Sequence, residues 1–514
     1  MKKPIWRSSF NVAGRVGLGP YTEMIECIYD LQTVTVKKRF LSQGIYVLEN
    51  LNNTGSYFLK DKLRGLAEEI LHEIIINQDK IDSIHKKTTL LNTEYFNFAK
   101  PIRKLNLSKL SNQKLLSLHK KLFHLQSLSH GWALCTTWFV DSDGEDFTNY
   151  LQSVLKEKIA STNSGLELVQ AFRTITTPNQ KTLGQIEEEE SLKIVEWINK
   201  SKELKNWFVN HITSELAADF KNLSAAAKRK LWNHYYKWCW TPFGYLGPVY
   251  ELDYYLEVWR GLLHQNIDVP KKLKEINENK KRTQKERAEI IKKLKLSTKE
   301  KHLFDIATDI VWLKSYRKDC YYHGFFVMNL LLTEVARRTG LSPIQAQYLT
   351  PEELPLALRG KNLADTANGR MEFCVLYNVG RKIKILTGET AKKFLKKYNF
   401  EKIKIENTDE INGTCACPGM AKGKVKIVNL PEDIKKMEDG DIMISHTTYP
   451  ALVPAMKKAA AIVTEDGGIT CHAAIVSREM QTPCVVGCKN ALNVLKDGDV
   501  VEVDANNGII RIIK

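Results

Sequence analysis

The stretch from Ala459 to Met480 constrains the fold more than any other. Ala459 to Val463 is an apolar run long enough for one buried strand. Gly467-Gly468 follows, a turn that can take positive φ. Helix-compatible residues then run from His472 to about Met480. Strand, glycine turn and helix in succession make a β/α unit, and they place His472 in the first turn of the helix. Free N–H groups and the positive end of the helix dipole can hold an anion there. The same field disfavours imidazolium, so the ring is expected to be neutral and nucleophilic at pH 7. A lone histidine after a turn is more often a partly exposed structural residue, so spacing by itself does not decide between the two readings.

The longer pattern does. Gly467-Gly468-Ile-Thr470-Cys-His472-Ala-Ala-Ile-Val-Ser-Arg478-Glu resembles the phosphohistidine signature of the phosphoenolpyruvate-utilising enzymes. The resemblance implies that His472 carries a phosphoryl group and that Thr470 orients or assists it. Gly467 and Gly468 become candidate phosphate-binding backbone. Arg478 is a candidate phosphate contact or, equally, one half of a structural salt bridge. The resemblance further implies a swivelling β/β/α domain over 413–514. A fainter similarity covers about 300–400, where Arg317, Arg337, Arg338 and the run Leu349 to Leu354 loosely match the segment before the carrier. Residues 1–260 show no specific motif.

Net charge is +17, from 76 basic and 59 acidic residues, which suggests an anionic partner. Much of the excess lies in Lys271 to Lys301, behind a helix-starting Pro270. Acidic residues are interspersed and aromatic ones are absent there. A solvated helical arm is the ordinary reading, and nucleic acid is disfavoured as a partner. No apolar run reaches membrane-spanning length. The N-terminus lacks the apolar core of a secretory signal. The ten cysteines are scattered. Cys415, Cys417, Cys484 and Cys488 invite a zinc reading, but their spacing is not that of paired C-x-x-C clips. Free thiols, no bound metal and a reducing cytoplasm are expected.

The fold class expected is multidomain: a mostly α-helical body followed by a C-terminal swivelling β/β/α phosphohistidine domain. Residues 1–265 read as mainly helical, with β-like runs before residue 60. The aromatic stretch Trp232 to Tyr255 reads as core before pocket. Residues 266–398 hold the basic arm and further helices, with a capping box at Thr350 and Glu353 and β character from Arg370 to Thr387. Residues 399–412 are a polar hinge, and 413–514 the mobile domain.

Family members join the carrier to an ATP-grasp nucleotide domain, and no convincing version is legible in 1–400. No Walker-type loop is present either. The synthase-type phosphoenolpyruvate barrel would follow the carrier, and the sequence ends at Lys514. The expected function is therefore a phosphotransferase component. A separately encoded ATP-grasp or phosphoenolpyruvate/pyruvate-binding protein would supply the phosphoryl group, with Mg²⁺ and ATP or phosphoenolpyruvate entering through it. An unidentified small molecule would accept it. A non-catalytic binding or regulatory protein that retains the carrier fold is the alternative.

Overall fold

The computed structural model describes residues 4–8, 18, 22, 25, 29, 40–76, 80–133, 146–244, 247, 249–264, 268–401, 410–448, 452–465, 472–488 and 491–513. The chain divides into two compact units. One comprises Met1–Ala67, Leu107–Lys120 and Leu331–Lys514, the other Glu68–Asn106 and Lys121–Leu330.

Among the described residues of the second unit the regular elements are all helices, joined by turns. Its helices start where the sequence supplies caps. Thr182 and Gln185 form a capping box on Leu183–Asn199, and Ser201, Ser224 and Asp268 each accept a first-turn N–H. The aromatic stretch is mainly core. Trp240, Phe243, Tyr255 and Trp259 are buried, whereas Trp232 and Tyr236 reach solvent. The basic arm is the helix Val269–Lys293, with Pro270 in its first turn. Exposed pairs such as Lys274–Glu278 and Arg282–Glu286 lace its surface.

The first unit holds two sheets. The six-stranded one has the order β5-β4-β2-β3-β1-β6. Its strands are β1 (Ile5–Ser8), β2 (Gln43–Glu49), β3 (Asn52–Leu59), β4 (Phe373–Val379), β5 (Lys382–Thr387) and β6 (Asn399–Phe400). β2 pairs antiparallel with β4 from Gln43↔Val379 to Glu49↔Phe373. The contacts therefore do not partition at residue 265 or 398, as the linear reading expected. The beginning of the chain and the region before the carrier share one sheet. Pairing across more than three hundred residues leaves no trace in local periodicity. β4 also lacks the alternation read over 370–387, because it is central and buried on both faces. Arg370 belongs to the preceding helix Ala364–Glu372.

A carboxylate clasps β1 to the residue after β6. Glu401 accepts from Arg7 Nε at 2.6 Å and from Lys60 Nζ at 2.8 Å, and its own N–H donates to Trp6 O. The Arg7 guanidinium, opposed by burial and helped by Lys60, lowers the Glu401 pKa from 4.5 to about 2. A depressed carboxylate stabilises the fold fully above its unfolded pKa, and that stability is lost as pH falls through the folded value. The urea midpoint is therefore expected to drop more between pH 4.5 and about 2 in the wild type than in Glu401→Gln. The difference should be about 1 kcal/mol, since the pair is partly solvated. Parallel curves would contradict this.

The C-terminal sheet has eight strands in the order β7-β14-β13-β9-β10-β11-β12-β8. They are β7 (Glu410–Asn412), β8 (Thr414–Cys417), β9 (Met420–Ile427), β10 (Ile442–Ser445), β11 (Ala461–Thr464), β12 (Cys484–Val486), β13 (Val500–Asp504) and β14 (Ile509–Ile513). β9 joins two halves. Met420 to Lys424 pair antiparallel with β13, and Val425 to Ile427 pair parallel with β10. Alternate residues of the central strands feed two cores. Ile442, Ile444, Val463 and Val485 point to one, while Met443, Ile462, Cys484 and Val486 point to the other. Gly508 takes φ +69° and closes the β13–β14 hairpin that Asn506-Asn507-Gly508 announces.

The expected hinge falls mostly on 402–409, outside the described residues. Its two ends are strands: Asn399–Phe400 pairs with β1, and Glu410–Asn412 with β14.

Candidate functional site

β9, β10, β11 and β12 run parallel, so their carboxyl ends share one edge of the sheet. Open sheets of this kind bind ligands along that edge. The helix His472–Met480 lies in the crossover from β11 to β12. A crossover between parallel neighbours carries the chain back across the sheet, so the helix opens at the same edge. Ala473 and Ala474 are fully buried against Met443, Ile462 and Cys484. Two small side chains in the first turn let the helix lie close to the sheet, which directs its N-terminus over the strand ends.

His472 is the first residue of this helix, as its position after the glycine turn predicts. Gly467, Gly468 and Thr470 lie outside the described residues, as does Cys471. Arg478 is in the last turn, and its Nε donates to the backbone carbonyl of Ala416 in β8 at 2.9 Å. That bond ties the helix to the edge strand.

Around the strand ends stands a polar group that sequence reading did not single out. Asn429 Oδ1 accepts from the His446 N–H at 2.7 Å and from Ser445 Oγ at 3.2 Å. His446 Nδ1 lies 3.0 Å from Glu465 Oε2. Glu465 Oε1 accepts the Leu492 N–H at 3.3 Å, and the Glu465 N–H donates to Ser445 O at 2.9 Å. The one available signal was positional. His446 and Glu465 each stand directly after a short apolar strand, where side chains face the edge.

Thr464 ends β11. Its backbone carbonyl accepts the Cys488 N–H, but its Oγ1 is buried without a hydrogen-bond partner. An unpaired buried hydroxyl costs about 1–3 kcal/mol. Thr464→Val is therefore expected to leave the thermal midpoint unchanged or raise it. A clear fall would show that the hydroxyl has a partner in the resting protein.

The four cysteines that invited a zinc reading do not gather at one place: Cys415 is partly exposed, and the other three divide between the two cores. Cys417 and Cys484 pair across β8 and β12 in one core, and Cys488 is buried in the other. Burial, with the Glu465 charge second, pushes the Cys488 thiol up to about 12. Among the described residues no group of three or more His, Cys, Asp or Glu side chains is placed to hold a metal ion. No helix among them is long and apolar enough to cross a membrane.

A β/β/α domain with a histidine-led helix over the ends of parallel strands is the architecture expected of a phosphohistidine carrier. Residues 437–508 match the family model "PEP-utilising enzyme, mobile domain", so the C-terminal sheet carries that domain on a chain whose remainder is largely helical. The probable phosphoenolpyruvate synthase of Archaeoglobus fulgidus is 57% identical over 100 residues, 20% of this chain and 13% of that protein. The probable phosphoenolpyruvate synthase of Methanothermobacter thermautotrophicus is 50% identical over 100 residues, 20% of this chain and 15% of that one. The phosphoenolpyruvate synthase of Pyrococcus furiosus is 35% identical over 184 residues, 35% of this chain and 22% of that one. The chain thus spans between 13% and 22% of the length of these relatives. Among solved structures, Thermococcus kodakaraensis aconitase X in its holo-form is 20% identical with a TM-score of 0.16, covering 20% of this chain and 98% of that one.

Proposed function

We propose that His472 carries a phosphoryl group from a nucleotide- or phosphoenolpyruvate-binding protein to a small-molecule acceptor. The observation that supports this most is the place of His472, at the head of a helix over the carboxyl edge, inside the segment that matches the mobile domain. In the first step a neutral imidazole nitrogen attacks phosphorus. The bond to the donor oxygen breaks, the N–P bond forms and the donor leaves with its oxygen. In the second step the N–P bond breaks as the acceptor oxygen bonds phosphorus, and the acceptor proton passes to base or solvent. Such transfers need positioning and charge neutralisation more than covalent assistance. The N–H groups of the first turn would supply part of both. Gly467, Gly468 and Thr470 would complete the cradle, and Arg478 would hold the helix to β8. Mg²⁺ would arrive with the donor on the partner. The helical unit would present the acceptor, and the cytoplasm would be the setting.

The test incubates the purified chain with γ- or β-labelled ATP, or with labelled phosphoenolpyruvate, with and without a candidate ATP-grasp or phosphoenolpyruvate-binding partner. Label that is acid-labile, base-stable and partner-dependent is expected. Labelling by ATP alone would place the nucleotide site on this chain. Absence of label under every pairing would favour a non-catalytic protein that retains the carrier fold.

A further inference from the structure

The eight-stranded sheet ends in an edge strand that sets one sulfur against another. β8 (Thr414–Cys417) is four residues long and pairs with β12 alone among the described strands. The register puts Cys417 directly opposite Cys484. Opposed residues of an antiparallel pair project from the same face. Both side chains enter the core that also receives Ala473 and Ala474 from the helix His472–Met480. Both are thiols in the structure, with Cys417 7% exposed and Cys484 fully buried.

This geometry suits a covalent bridge. Directly opposed residues hold their Cα atoms about 4.5–5.5 Å apart, and a disulfide spans about 4.4–6.8 Å. Their Cβ atoms stand about 4.5–5.5 Å apart, against about 3.5–4.5 Å in a bridge. The strands therefore close by about 1 Å as the bond forms. An edge strand makes that adjustment more easily than a central one, because it is tied to a partner strand on one side only. The ladder is also interrupted at this point. Cys417 opposes Cys484 but Cys415 opposes Val485, so Ala416 is left over as a bulge. A short edge strand with a broken ladder opens at lower cost than the sheet behind it. Opening uncovers Cys417 first, since β12 is held on its far side by β11.

We propose that Cys417 and Cys484 are a modification site, a reversible cross-strand disulfide that fastens β8 to β12 when a low-molecular-weight disulfide oxidises the chain. The Cys417 thiolate attacks one sulfur of the oxidant, whose S–S bond breaks and whose other half leaves as a thiolate. The Cys484 thiolate then attacks the Cys417 sulfur and expels the second half. The pair gives up two electrons and two protons, and the oxidant becomes two thiols. An added dithiol reverses both steps. The bond closes a loop that contains β9, β10, β11 and the helix His472–Met480, so it constrains the unfolded chain over most of the domain. The inference stands apart from the carrier reading of His472.

The full chain is reduced, equilibrated with oxidised and reduced glutathione in graded ratio, quenched with an alkylating agent and digested with trypsin. One bridge is expected, between the peptides 405–422 and 479–489. These peptides also contain Cys415 and Cys488, so fragmentation of the linked pair and four single variants assign the sulfurs. Cys417→Ala and Cys484→Ala should abolish the bridge, and Cys415→Ala and Cys488→Ala should keep it. Oxidation of the wild type should raise the thermal midpoint by about 5 °C or more and slow hydrogen exchange at the β8 amides, with dithiothreitol reversing both. Cys417→Ala should show neither response. A bridge that joins Cys415 to Cys488, glutathione adducts with no internal bridge, or thiols that stay reduced in oxidised glutathione alone would each overturn the proposal.

Discussion

His472→Ala is expected to reduce phosphoryl labelling of the chain to background under every donor and partner that labels the wild type. The effect is all-or-none because the substitution removes the only atoms that bond phosphorus in the proposed transfer. Alanine is the strongest helix former. It follows the pattern of Ala473 and Ala474, so the helix His472–Met480 should keep its fold and its packing on Met443 and Ile462. Loss of label would then report chemistry, not unfolding. Thr470→Ala should leave partial labelling, since the hydroxyl would add one hydrogen bond to a phosphoryl group already facing backbone N–H groups. A charge-assisted bond of that kind is worth about 1.5–3 kcal/mol, or roughly ten- to a hundredfold in rate if it is made only in the transition state. Full label retained in His472→Ala would move the carrier to another residue.

The second large effect is on stability. Arg370 is 7% exposed and reaches Glu353 through both terminal nitrogens, at 2.6 and 2.8 Å. It also donates to the carbonyl of buried Tyr348 at 3.0 Å. Glu353 meanwhile accepts the Thr350 N–H at 2.9 Å, the capping contact that the sequence suggested, although the helix itself begins only at Leu354. The guanidinium thus ties Tyr348 and Glu353 to the helix that precedes β4. Arg370→Ala strands a partly buried carboxylate and a carbonyl, and should cost about 3 kcal/mol, at the lower end for broken buried pairs because Glu353 keeps some solvent. Arg370→Lys should recover little, since a point charge cannot reproduce the two-nitrogen contact. Arg370→Met combined with Glu353→Gln should recover most of the loss, because the stranded charge is gone. Urea unfolding of the four proteins decides it. A loss below about 1 kcal/mol for Arg370→Ala would mean that the pair is solvated.

The features legible in the sequence were the local ones. Ala459 to Val463, the glycine turn and the helix from His472 each occupy adjacent positions; the helix His472–Met480 stands where it was read, and strand β11 starts two residues later, at Ala461. Pro270 marked the start of the basic helix for the same reason, and the structure adds Asp268 as its cap. Features built by long-range pairing were not legible. β2 and β4 form one continuous register between residues 43–49 and 373–379, and nothing within either segment names its partner. His446 and Glu465 likewise meet only because β10 and β11 are parallel and in register from Ile442↔Ala461 to Ser445↔Thr464. A histidine after one strand and a glutamate after another look unremarkable until the strands are laid side by side. The aromatic stretch was legible in kind, since bulky rings at helical spacing bury themselves. Which of them would stay outside, as Trp232 does, depended on the packing of neighbouring helices.

The central claim is that His472 is a phosphoryl carrier, and the most direct measurement asks the cell. The chain is purified rapidly at about pH 8, where phosphoramidates persist, digested at that pH and mapped by peptide mass spectrometry. The account predicts one acid-labile phosphoryl group, on His472, in the peptide that ends at Arg478. A phosphoryl group confined to other residues, or the peptide that carries His472 recovered only unmodified while a chemically phosphorylated standard survives the same handling, would contradict it.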